Sequence, residues 1–133
     1  MALATLLTGC TKEETTVIHN VPAYVYTEYP EVAATAWHWN TGLTQLEYVY
    51  YNEYIDEFMI NNSFVLVYLV ENDVDVPLPA ILYSADGQHE ARVRYDVSQG
   101  MVRFIVESID GDNTALTTML NDMVFKVCMM VTP

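Results

Sequence analysis

Cys10 is the residue of this chain best placed for covalent chemistry. It closes the run Leu6-Leu7-Thr8-Gly9-Cys10 and is followed by the polar stretch Thr11-Lys12-Glu13-Glu14-Thr15-Thr16. Two small residues precede this thiol, an apolar stretch lies before them and a hydrophilic tether follows. Other reactive side chains form weaker patterns. His19, His38 and His89 are far apart in the sequence, and none has the spacing of a metal-binding pair. Asp110 with Asp112, and Asp73 with Asp75, are weak calcium candidates without the later ligands and bidentate glutamate of a calcium loop, so solvated turns are the simpler reading. Eighteen acidic residues offer many carboxylate pairs for glycoside hydrolysis, and only their distance across a cleft would give one meaning. Serine nucleophile elbows, phosphate-cradling loops and dinucleotide fingerprints are absent, and a non-catalytic protein is expected. Trp37 and Trp39 fall on one face of an extended segment with His38 opposite. Joined by Tyr48 and Tyr50 they would make a platform for sugar rings; otherwise they are core.

The segment around Cys10 resembles the lipobox of bacterial lipoproteins, and that resemblance implies lipid on Cys10 and Cys10 as the first residue of the mature chain. Burial of acyl chains gains about 0.8 kcal/mol per methylene, so several chains on one cysteine would hold a protein at a membrane without a spanning helix. A secretory leader carries a basic region and about 7–15 apolar residues, whereas only the uncharged stretch Met1 to Gly9 precedes the cysteine here. Residues 1–16 are therefore read as a leader remnant plus tether, and residues 17–133 as the folded domain. Lys12-Glu13-Glu14 resembles the lysine-plus-acidic tag that sends lipoproteins of Bacteroidetes-type bacteria to the outer face of the outer membrane. What these resemblances imply is a lipid-anchored protein of the outer membrane displayed at the cell surface, with the periplasmic face as the alternative.

The chain has 133 residues, which suits one domain with one core. Five basic against eighteen acidic residues leave a net charge of −13, and lysine and arginine form no cluster. Phosphate backbones would be repelled, so no nucleic-acid partner is expected. Anionic lipid surfaces are disfavoured in the same way, and attachment falls to the lipid. Cys128 lies in the apolar run Val124 to Val131, the setting of a small buried hydrophobe. A disulfide between Cys10 and Cys128 is not expected.

Positioning these residues falls to strands. Leu43 to Tyr54 alternates and is rich in tyrosine, and Ser63 to Val70 is a continuous apolar run suited to a central strand. Asn72 to Asp75 reads as a turn, and Pro77 and Pro79 confine the start of a strand over Leu78 to Tyr83 to a sheet edge. Glu90 to Val97 sets Ala91, Val93, Tyr95 and Val97 against Arg92, Arg94 and Asp96, the clearest two-residue period in the chain. Met101 to Glu107 continues it after a turn at Ser98-Gln99-Gly100. Met123 to Val131 is apolar on both faces apart from Lys126. Thr15 to His19 and Ala33 to Trp39 are read as strands with Val21 to Pro30 irregular between them, and short helical turns are expected near Ile55 to Met59 and over Ala115 to Leu120. About seven to eight short strands, no long helix and no internal repeat predict an all-β fold, a single antiparallel β-sandwich. Such a fold can bind through an open strand edge or an outward aromatic face.

The order Trp37-His38-Trp39, Glu47-Tyr48-Val49-Tyr50-Tyr51, Phe64 to Leu69, Pro77-Leu78-Pro79, Gly100 to Ile105 and Phe125-Lys126-Val127 resembles the small uncharacterised lipoproteins common in Bacteroidetes genomes. The chain departs from their pattern at Asn61-Asn62-Ser63, where a glycine is usual, and at Asp75-Val76, where an aromatic is usual. The resemblance implies a lipid-anchored β-sandwich and implies no reaction; apart from the lipid on Cys10, no cofactor is expected. Two functions remain as expectations: an accessory, structural or protein-interaction module, or a carbohydrate-binding surface lipoprotein.

Overall fold

The computed structural model describes residues 24–131, with backbone alone for Tyr24 and Val131. The strand expected over Thr15 to His19, together with Cys10 and the Lys12-Glu13-Glu14 tag, lies outside the described residues. The strands are β1 (Tyr24–Glu28), β2 (Glu31–Val32), β3 (His38–Trp39), β4 (Gln45–Tyr51), β5 (Ser63–Glu71), β6 (Val74–Pro77), β7 (Ala80–Tyr83), β8 (Glu90–Ser98), β9 (Met101–Ser108) and β10 (Met123–Val131). They form two antiparallel sheets. Sheet I has the order β3-β4-β9-β8-β7, and sheet II the order β1-β10-β5-β6 with β2 also pairing β10.

Alternation of apolar side chains brings the sheets face to face. Leu46, Val93, Val102, Phe104 and Val106 of sheet I and Val67, Leu69, Phe125, Val127 and Met129 of sheet II are buried between them. Phe104 and Phe125 stack across the interface with ring centroids 4.1 Å apart. Each fully buried side chain of this size stabilises the fold by about 1.5–3 kcal/mol. Two tyrosine hydroxyls join the sheets at the margin of the core, Tyr95 donating to the Val65 carbonyl at 2.9 Å and Tyr50 to Glu28 at 2.8 Å.

Short helical turns close the ends. Asp56 caps α1 (Glu57–Asn62) by accepting from the Met59 amide at 2.8 Å, and the turn buries Met59. A 3-10 segment over Asn113–Met119 is capped by Asp112 and buries Leu116 and Met119. The expected turn near Ile55 to Met59 becomes α1, and that near Ala115 to Leu120 becomes this segment.

Three expectations need correction. Asn72 to Asp75 is not all turn: Asn72 and Asp73 alone carry the loop, at φ of 50° and 63°, and Val74 already pairs with Glu71 in β6. Two consecutive residues at positive φ match the twist of a tight hairpin, which leaves Val74 and Asp75 extended. Val21 to Pro30 is not irregular throughout, because Tyr24–Glu28 pairs along β10 from Val131 to Val127. The strand over Ala33 to Trp39 shrinks to β3, since Ala34–Ala36 winds into a 3-10 turn. Where the expected edge strand was placed by Pro77 and Pro79, the chain changes sheets: β6 ends at Pro77 on one edge of sheet II, the Leu78–Pro79 bond is cis, and β7 starts on the edge of sheet I.

Candidate functional site

The two outer faces of the sandwich differ in kind. That of sheet I carries ion-paired charge along β8 and β9, with Tyr51 on β4 and Ile81 and Tyr83 on β7 exposed to either side. Arg92, Arg94 and Arg103, all the arginines of the chain, stand outward on β8 and β9. Glu107 accepts from Arg92 Nε at 2.9 Å and from Arg94 Nε at 3.0 Å, and Arg103 binds Asp96 and reaches Glu47 at 3.4 Å. Burial pushes the Glu107 carboxyl up, but the bonds from both guanidinium groups outweigh it and leave its pKa below the ordinary value. Arg103 is held more firmly charged by its hydrogen bond to Asp96. Beneath these side chains Ile105, although outward-facing, is 0% exposed. In register it lies between Glu47 of β4 and Arg94 of β8.

Sheet II presents the opposite surface. Register sets Val25, Met130 and Phe64 in one row across β1, β10 and β5, with Thr27, Cys128 and Leu66 in the next. Phe64 is 61% exposed and Val25 58%, and Leu66 and Met130 are also exposed. Neither row contains a charged residue. The charges of this face, Lys126, Asp75 and Glu31, lie in the rows beyond, where Lys126 pairs with Asp75 at 2.8 Å and sits 5.8 Å from the Tyr68 ring centroid. The continuous apolar composition of β5 and β10 is that of strands covered on both sides. Here one side faces the core and the other remains open.

The expected sugar platform is not assembled on one exposed surface. Trp39 pairs with Leu46, so the face shared by both indoles points inward, and Trp37 is only 7% exposed. Trp37 packs edge-on against Phe125 at 6.3 Å, and its buried Nε1 has no partner. Tyr48 and Tyr50 also face the core, stacked on Phe104 at 6.3 and 6.4 Å. Tyr48 and Tyr50 are half-buried, and Trp39, at 37% exposure, is the most exposed of the four, in a shallow depression shared with Leu43, Asn113 and Thr114. His38 projects from the opposite side of β3 beside Glu47.

A second polar group forms where loops meet at one end. His89 Nδ1 shares a 2.9 Å hydrogen bond with Asp110 and lies 3.8 Å from Asp112. Asp110 also accepts from the Ser108 hydroxyl at 2.7 Å and the Asp112 amide at 2.9 Å. The Ser108 hydroxyl, the Asp112 amide and His89, in that order, lower the Asp110 carboxyl to about 2. His89 is raised above its ordinary value chiefly by the bond to Asp110. Ser84 closes the neighbouring loop, its hydroxyl donating to Asp86 and accepting the His89 amide at 3.0 Å. The calcium candidates are thus already engaged: Asp110 holds His89, Asp112 caps the 3-10 segment through the Thr114 amide at 3.1 Å, Asp75 binds Lys126 and Asp73 forms the hairpin loop. Among the described residues no group of three or more potential metal-binding side chains gathers. These partners make the cluster a set of loop fastenings.

Comparison with family models, curated proteins and solved structures finds no match to this chain. No helix among the described residues is long and apolar enough to cross a membrane.

Phe64 and Leu66 form the open face of sheet II without belonging to the candidate platform around Trp37 and Trp39. Their signal was present in the uninterrupted apolar run of Ser63 to Val70, which supplies side chains to two faces while one core accepts only one of them.

Proposed function

We propose that this chain is a non-catalytic contact module, anchored to the outer membrane by lipid on Cys10, displayed at the cell surface, and binding a protein partner through the outer face of sheet II. The observation that carries the contact is the charge-free double row of Val25, Met130, Phe64, Leu66 and Cys128 on a chain of net charge −13 whose other outer face carries ion-paired arginines and carboxylates along its centre. Exposed apolar patches of this kind mark contact surfaces on soluble domains. Anchoring rests on the lipobox-like run ending at Cys10 and surface display on Lys12-Glu13-Glu14. A carbohydrate contact has narrower support, in the single exposed indole of Trp39 above its depression.

Growth with a labelled fatty acid is expected to mark the protein, and Cys10→Ser to abolish the label; label on the serine variant would reject the anchor. Protease added to intact cells is expected to digest the domain, and complete protection would place it on the periplasmic side.

A further inference from the structure

Resting on the lipid anchor proposed above, we infer that the end of the sandwich carrying α1 is a membrane-contacting surface, seated on zwitterionic lipid. The tether from the anchor enters the fold at this end. Residues 11–23 separate Cys10 from Tyr24, the first residue of β1, and Tyr24 shares its row with Val131 of β10 and Ser63 of β5. The segment between β4 and β5 covers the same end: the Asn52 amide donates to the Gly100 carbonyl at 2.9 Å, and α1 runs directly into β5 at Ser63. Its side chains come close to the point of entry, because Tyr54 stacks on Tyr26 of β1 with ring centroids 5.8 Å apart.

The composition of this end matches a lipid boundary. Tyr51 is 74% exposed, Phe58 61% and Tyr54 59%, and Ile60 is exposed as well. Tyrosine, with an apolar ring and a polar hydroxyl, favours the membrane–water interface, and phenylalanine and isoleucine favour the acyl boundary beneath it. Charge selects both the end and the lipid. The opposite end bears Glu71, Asp73, Asp86, Asp110, Asp112 and Asp122 at its loops and strand ends. Here residues 52–62 contain Glu53, Asp56 and Glu57, with no lysine or arginine, and the Asp56 carboxylate is engaged by the Met59 amide. Three acids without a basic partner in the segment disfavour anionic headgroups and leave zwitterionic ones. A contact this small is weak alone, but the anchor makes it intramolecular and so raises its effective concentration. The far end stands about 30 Å away along the nine-residue strands β5 and β10. Strands then rise from the bilayer, and the outer face of sheet II stays open to the protein partner.

Quenching of tryptophan fluorescence by brominated phosphatidylcholine tests this. The full chain carrying Cys128→Ser is coupled through Cys10 to maleimide lipid in vesicles of that composition, so that attachment does not depend on lipidation in the cell. Phe58→Trp is expected to be quenched several-fold more strongly than Thr117→Trp, which places an exposed indole in the 3-10 segment of the opposite end. Adding Ile60→Asp to Phe58→Trp is expected to reduce that quenching several-fold, with an unchanged circular dichroism spectrum. Should Phe58→Trp fail to fold, Tyr54→Trp serves the same purpose. Equal quenching at the two ends, or none at Phe58→Trp, overturns the proposal, as does quenching that Ile60→Asp leaves unchanged, since the tether alone would then account for it. These failures leave the anchor standing if cells still add the fatty-acid label. Loss of that label in the wild type would instead withdraw the anchor, and with it the membrane beside this end.

Discussion

His89 and Asp110 fasten the loops between β7 and β8 and after β9, and their charges set a pH window. His89 has its pKa raised above 6.5 by the bond to Asp110, so its contribution to stability is complete below 6.5 and is lost as pH rises through the raised value. Asp110 is lowered from 3.8 to about 2, so its contribution is present above 3.8 and is lost as pH falls towards about 2. The pair therefore supports the fold between these limits, with Asp86 and Asp112 adding negative charge that favours the imidazolium. His89→Ala is expected to lower the denaturant midpoint near pH 5 and to leave it little changed above pH 8. A wild-type midpoint that does not fall relative to the alanine variant between those pH values would remove the assigned role. Trp37, Tyr48 and Tyr50 show a different principle: an aromatic side chain stacks on whatever ring it meets, and here the rings it meets are Phe104 and Phe125.

The hairpin from β5 into β6 forms one margin of the open face, where Asp75 meets Lys126. Its loop holds Asn72 and Asp73 at φ of 50° and 63°, a region that disfavours side chains with a Cβ. Glycine in the second position of such a loop is preferred. Asp73→Gly is therefore expected to stabilise the domain by on the order of 1 kcal/mol, measured as a higher urea midpoint with an unchanged slope. A loss of stability would mean that the Asp73 side chain makes a contribution greater than the backbone cost. Across the sandwich, the β8–β9 hairpin uses Gly100 at φ 80°, and its backbone is tied to Ile55 by a 2.6 Å hydrogen bond. That bond joins the loop before α1 to sheet I. Both hairpins fix pairing by local backbone geometry, which is why their strands lie in the expected antiparallel order.

A net charge of −13 on 133 residues acts on the whole sandwich. Self-repulsion favours the expanded chain, and salt screens it over a Debye length of about 10 Å at 0.1 M. Raising sodium chloride from low concentration to physiological strength is expected to raise the melting temperature, because screening weakens the repulsion that opposes folding. A melting temperature that falls over that range would indicate that the ion pairs of sheet I outweigh the net repulsion. Exposed pairs of that kind contribute about 0.2–1 kcal/mol each, which is why the net term is expected to win.

Strand identity was legible in the chain because alternation is local: the sequence from Glu90 to Glu107 specifies which side chains go inward whatever else the protein does, and the structure places Val93, Val102, Phe104 and Val106 in the core as expected. The edge positions were legible from Pro77 and Pro79 for the same reason, a missing amide being a property of one residue. The short strand β6 and the pairing of Tyr24–Glu28 were not, since each is extended only because a neighbouring strand supplies hydrogen bonds. The candidate site was half legible. Two-sided apolar composition is visible in Ser63 to Val70 and in Met123 to Val131, but composition does not say that these segments are neighbours or which side is left uncovered. Pairing of β5 with β10 at the centre of sheet II merges their outward residues into one face, and the closing of sheet I over the opposite side buries Trp37 and packs Tyr48 and Tyr50, half-buried, against the core. Periodicity is carried by adjacent residues, whereas exposure depends on segments distant in sequence, and only the folded arrangement brings those together.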